Sequence, residues 1–190
     1  MESVIRDREV RRSDSREVSE WLSRFGAALD RADFAAASEM FADDCYWRDL
    51  VCLTWNIKTL EGKQQIQAML EVTVLEAKPG QWRIDGEATS QNGVIESWFT
   101  FETAVSRGKG HLRLKEGKCW TLLTTMTELK GFEEKKGETR AKGVLHGIVK
   151  DRRNWAEQKA QEEADLGYAK QPYCVIIGGG QGGIDRKSVV

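Results

Sequence analysis

The feature that most narrows what this chain can fold into is a change of hydrophobic period at Pro79-Gly80. Before it, apolar residues recur at the three-to-four spacing of amphipathic helices; after it they alternate with polar ones, as in strands with one buried face. Over 17–30, Val18, Trp21, Leu22, Phe25 and Leu29 fall on one helical stripe. Asp33 then stands where an N-cap would start a second helix, with Phe34, Ala37 and Phe41 sharing its stripe. The aromatic and branched run 42–55 reads as a strand, a turn and a further extended piece. Within it, Asp43-Asp44 sits at the junction of helix and strand and reads as a turn or capping pair rather than as paired catalytic carboxylates. A third helix is predicted over 62–75, with Ile66, Met69, Leu70 and either Thr73 or Val74 facing inward.

Beyond Pro79-Gly80, residues 81–85 place Trp82 and Ile84 on one side of a strand. A long strand over 93–105 has two unlike faces: Ile95, Phe99, Phe101 and Val105 on one, and Val94, Glu96, Trp98, Thr100 and Glu102 on the other. Strands over 108–115 and 118–130 flank Glu116-Gly117, a hairpin signal. Helices followed by a meandering antiparallel sheet give an α+β class, with one domain over 17–130 and a loose polar arm over 1–16.

Residues 131–172 form a densely charged connector carrying both signs, with a solvated helix over 154–166. Arg152-Arg153 beside Trp155 has the residue types of a nucleic-acid contact, but Asp151, Glu157 and later acidic residues cancel the field. The run YCVIIGGGQGGI, 173–184, then sets Gly178, Gly180 and Gly183 at the G-x-G-x-x-G spacing behind a buried-strand pattern. That order suits a dinucleotide: a tight turn, close backbone approach to a pyrophosphate, and close packing of the next helix. Only DRKSVV follows, so the helix, the partner strands and the acidic ribose ligand of such a domain are not in this sequence.

Partners are bounded by charge. A net charge of −1 over 190 residues, with 31% charged and 40% apolar, offers no basic stripe for nucleic acid and no case for an anionic membrane surface. No apolar run reaches the roughly 18 residues of a membrane span, and the charged N-terminus has no signal-peptide core, which gives a cytoplasmic location as the expectation. Cys45, Cys52, Cys119 and Cys174 form no C-x-x-C pair, and with only His111 and His146 beside them no metal-ligand spacing arises. Reduced, buried thiols are expected.

The segments FADDCYWRD and LTWNIKTLEGKQQIQAML, followed by the meander, resemble the NTF2-like, SnoaL-like cone, in which a curved sheet wraps helices around a pocket. The later run KGVLHGIVKDRRNWAEQKAQEEADLGYAKQPYCVIIGGGQGGI is similar to the junction of flavin-dependent monooxygenases that carry such a domain before their FAD domain. The resemblance spans about 17–184. It implies a parent enzyme using FAD and NADPH, in which Gly178, Gly180 and Gly183 match the FAD fingerprint. This chain would then be an N-terminal fragment, inactive alone, binding neither cofactor and having no catalytic residue of its own, with 173–184 as an orphan first strand. DRKSVV resembles a translated sequencing adapter, which makes 185–190 a non-native tail.

The alternative is a free-standing cone domain that binds a small molecule or acts as an isomerase or hydratase. Its pocket candidates are Trp47, Asp49, Trp55, Trp98 and His111. Set against these roles are core packing for the tryptophans and solvent-facing positions for Asp49 and His111. A third option is a homodimer formed through the sheet, as such sheets often pair in relatives.

Overall fold

The chain order is α1 (Glu2–Asp30), α2 (Phe34–Glu39), β1 (Phe41–Leu50), β2 (Ile57–Glu61), α3 (Gly62–Ala77), β3 (Gly80–Gln91), β4 (Val94–Glu102), β5 (Ser106–Lys115), β6 (Lys118–Leu129) and α4 (Trp155–Asp165). This computed structural model describes residues 2–140 and 153–170. It divides into two units, Met1–Arg140 and Ala141–Val190. The glycine run 173–184, the tail 185–190, Cys174 and His146 lie outside the described residues.

In the first unit the strands form one sheet in the order β2-β1-β6-β5-β4-β3. All pairs are antiparallel except β1 with β6. Local signals set most boundaries. The Asp33 carboxylate accepts from the Ala36 N–H at 3.0 Å and starts α2. Lys78, left-handed at φ 46°, closes α3, whose buried side is Ile66, Met69, Leu70 and Val74. Glu116 and Gly117, at φ 53° and 76°, both occupy the left-handed region that a tight hairpin of this hand requires.

Several expectations need correction. Where a loose arm is expected over 1–16, α1 already runs from Glu2. Its early turns are held by polar contacts to β3, which leave no apolar stripe to read. The Ala88 N–H donates to Ser15 Oγ at 2.9 Å, Ser90 Oγ donates to Asp14 Oδ2 at 2.6 Å, and Arg11 pairs with Glu87 at 3.6 Å. The strand at 93–105 ends at Glu102, because Thr103 Oγ1 accepts from the Val105 and Ser106 amides and forces a turn, leaving Val105 outside. The strand predicted at 81–85 continues to Gln91, past a register shift at Gly86. Asp43 and Asp44 lie within β1 rather than in a turn, and Asp43 pairs with Lys63 of α3 at 2.9 Å.

The core lies between α1, α3 and the inner face of the sheet. Its largest side chains, Phe25, Phe41, Trp47, Phe99 and Phe101, are all essentially inaccessible. Two of them use glycines as their floor. Phe99 and Phe101 stand directly opposite Gly110 and Gly108 of β5, and each ring covers the place where a Cβ would be. Gly26 plays the same part on α1, where a Cβ would come within 2.8 Å of Trp82 Cδ1. In the second unit, Asn154 and Glu157 form a capping box that begins α4, none of whose residues is buried. The solvated helix expected at 154–166 is thus present.

A methyl group at Gly110 would collide with both the Phe99 ring and the Leu123 carbonyl. Gly110→Ala is therefore expected to cost about 2–3 kcal/mol, measured by denaturant unfolding, with the far-ultraviolet circular dichroism unchanged.

Candidate functional site

The five pocket candidates do not form one site. β1 alternates so that Cys45, Trp47 and Asp49 point inward. Asp49 is wholly inaccessible, which overturns a solvent-facing position for it. On the same parity argument, Trp98 lies outward: Ser97, Phe99 and Phe101 take the inner face of β4, and Trp98 is 45% exposed. His111 stands directly across from it on β5, with the rings edge-on at 4.7 Å. Trp55 is exposed in the β1–β2 loop. Of the three tryptophans, only Trp47 packs in the core.

Inside, Trp47 and Asp49 belong to one hydrogen-bonded chain. The Trp47 indole N–H donates to Thr124 Oγ1 at 2.9 Å, and Thr124 donates to Asp49 Oδ1 at 2.7 Å. The other carboxylate oxygen, Oδ2, accepts from the Leu53 N–H at 3.1 Å, the Thr54 N–H at 2.8 Å and Thr54 Oγ1 at 2.7 Å. A carboxylate has about four lone-pair sites, and four donors reach this one, three at Oδ2 and one at Oδ1. Burial without partners would be costly; here the donors come from the loop after β1 and from β6, so the carboxylate fixes that loop against the neighbouring strand. Thr54 and Thr124 were not among the sequence candidates. Thr124 could have been found, because it shares the inward parity of Leu122 in β6.

The buried thiols are unreactive by environment. Cys52 is pushed up to about 11 by burial, against the weaker pull of its contact with Ser106. Burial likewise raises Cys119 and Cys45. Among the described residues no group of three or more His, Cys, Asp or Glu side chains could hold a metal ion, and no helix is long and apolar enough to cross a membrane.

The outer face is more accessible. Registers across β4, β5, β6 and β1 align Trp98, His111, Leu123 and Arg48 in one row, and Glu96, Arg113, Thr121 and Tyr46 in the next. Tyr46 is 45% exposed and Ile57 63%. At one end of this face opens a cleft of about 350 Å³ lined by Arg83, Thr100, Glu102, Arg107, Lys109 and Thr127, among others.

Two outcomes follow. Asp49→Ala would strand the Leu53 and Thr54 amides and the Thr124 hydroxyl, and should cost about 3 kcal/mol, with faster hydrogen exchange at Leu53 and Thr54. Burial lowers the His111 imidazole below its ordinary value, outweighing the opposite effect of Glu96. The neutral form is thus favoured on folding, so this stabilisation is full above a pH of about 6.5 and is lost as pH falls toward the lowered value. His111→Gln should flatten the thermal-stability profile below that pH.

No protein-family model and no curated protein matches the sequence. Among solved structures, a domain of unknown function with a cystatin-like fold from Nostoc punctiforme superposes with a TM-score of 0.50 at 13% identity, covering 60% of this chain and 78% of that one. An NTF2-like protein of unknown function from Cytophaga hutchinsonii gives 0.39 at 14% identity, over 56% and 87%. An LEH-like epoxide hydrolase from M. tuberculosis gives 0.41 at 13%, over 60% and 84%. None of these three is described as a flavin monooxygenase. At such identities the likeness concerns the fold alone: helices against a curved, unclosed six-stranded sheet, consistent with the NTF2-like architecture.

Proposed function

We propose that the first unit, Met1–Arg140, is an NTF2-like interaction module that pairs with a second copy of itself through the outer face of its sheet. The observation that carries this is the aligned row of Trp98, His111 and Leu123, with Tyr46 in the adjoining row. Trp98 and Tyr46 are each 45% exposed, with Leu123 and His111 half-buried between their strands, and apolar side chains left open on a sheet face are what a contact surface would cover. Charge on this face suits a self-complementary contact. Arg113 is paired with Glu96 at 3.1 Å and Lys109 with Asp85 at 2.8 Å, which reduces the charge that two identical faces would bring together about a two-fold axis.

Enzymatic readings have less behind them. An isomerase or hydratase working inside the cone would need a free carboxylate and space beside it; Asp49 already accepts four hydrogen bonds, and Phe25, Phe41, Trp47, Phe99 and Phe101 are packed in the interior. The reading as a fragment of an FAD- and NADPH-dependent monooxygenase rests on Gly178, Gly180 and Gly183, outside the described residues. The described residues favour the cone domain acting in its own right.

Sedimentation equilibrium of the purified chain should give a dimer. Trp98→Glu should give a monomer with an unchanged circular dichroism spectrum. A parent chain that stays monomeric across the accessible concentration range would overturn the proposal, as would a Trp98→Glu variant that still dimerises.

A further inference from the structure

The cleft at the end of the outer face carries a second, separate inference. Its volume, about 350 Å³, is within the range of small-molecule sites, roughly 300–1,000 Å³. Arg83, Thr100 and Lys109 lie in register on β3, β4 and β5. Directly opposed residues project to the same face of a sheet, so a hydroxyl stands between two cations along the cleft floor.

The charges differ in how firmly they are engaged. Arg107 is held by Glu128 at 2.9 Å and Glu133 at 3.0 Å. Glu102 is held by Lys130 at 2.8 Å. Lys109 pairs with Asp85 at 2.8 Å and rests 5.0 Å from the Trp98 ring centroid. Arg83 differs from all of these: among the described residues it makes no hydrogen bond and no ion pair, and the Thr100 hydroxyl makes no hydrogen bond. A guanidinium and a hydroxyl with open donors therefore stand together in a concave site. The single acidic lining residue, Glu102, is paired with Lys130 at 2.8 Å and with Arg107 at 4.0 Å, and also feels the charge of Arg83.

We infer that this cleft binds a small oxyanion, a carboxylate or a phosphate. Arg83 presents two parallel N–H donors, the geometry that fits either group bidentately. Thr100 supplies a hydroxyl donor from the floor. Lys109 turns from Asp85 to the ligand, and Asp85, a half-exposed side chain, returns to water at little cost because exposed ion pairs are worth little. The site stands whether or not the face self-associates.

The test is a nitrogen–proton chemical-shift titration of the full chain at low ionic strength, with inorganic phosphate in one arm and succinate in the other. Saturable shifts at the amides of Thr100, Phe101 and Lys109 are expected in at least one arm, and the arm that saturates identifies the ligand chemistry. Arg83→Gln should raise the dissociation constant about tenfold, the effect of losing one charge-assisted contact. Arg24→Gln on α1 removes the same charge outside the cleft and should leave the constant unchanged. Absence of saturable shifts in both arms overturns the inference, and so does an equal weakening by the two variants, which would indicate diffuse electrostatic attraction.

Discussion

One aromatic ring ties the helices to the sheet. Phe25 of α1 stacks on Trp21 with centroids 4.9 Å apart and meets Phe41 and Trp47 of β1 at 5.9 Å each and Trp82 of β3 at 5.5 Å. β1 and β3 are four steps apart in the strand order, a separation of about 19 Å in a flat sheet. A single ring can touch side chains from both only if the sheet curls around the helix. The sheet is built to curl. Register shifts interrupt β1, β3 and the β5–β6 pair, and such irregularities bend strands. In the middle of the concave face, Gly108 and Gly110 remove the side chains that would crowd as the sheet closes, and Phe101 and Phe99 fill the space from the neighbouring strand. Curvature, glycine placement and the aromatic cluster are one solution to one packing problem.

That solution fixes where chemistry can occur. A cone whose interior is occupied by rings has little room for a guest, and its polar interior groups serve the architecture. Asp49 anchors the loop between β1 and β2. Thr103 and Ser106 share a 2.7 Å hydrogen bond that shapes the β4–β5 turn, and the Cys52 thiol lies 3.9 Å from the same Ser106 hydroxyl. A thiol reacts as its thiolate, so one held protonated by burial is a packing group. The convex side, where the proposed contact lies, carries the side chains left over from core packing.

How much of this was legible depends on how local each cause is. The Asp33 cap, the Asn154 start of the last helix, the span of α3 and the Glu116-Gly117 turn are set by a few adjacent residues, and each can be read from the chain. The first half of α1 could not, because Asp14 and Ser15 find their partners on β3, more than 70 residues away. The parallel pairing of β1 with β6 is hidden for the same reason. The site candidates mixed two faces. Trp98 alternates with Phe99 and shares its parity with Glu96 and Glu102, which already places it outside. Asp49 shares parity with Trp47, which already places it inside. Alternation carried the information; the chemical character of Trp and Asp, apolar and charged, pointed the other way in both cases.

The edges of the sheet bear on how a second copy could approach. An unclosed sheet offers its outermost strands for pairing, and proteins usually blunt them. Here β3 is bent at Gly86 and tied to α1 by the Ser15, Asp14 and Arg11 contacts, which occupy the Ala88 amide that an incoming strand would need. At the other edge, β2 has only five residues, Ile57–Glu61, and places Lys58 and Glu61 in solvent. Both edges thus disfavour strand addition, while the face between them leaves Trp98 and Tyr46 open. Association by face packing and not by edge pairing is what this distribution of exposed groups permits, and it leaves the Arg83 cleft at the rim of the contact instead of its centre.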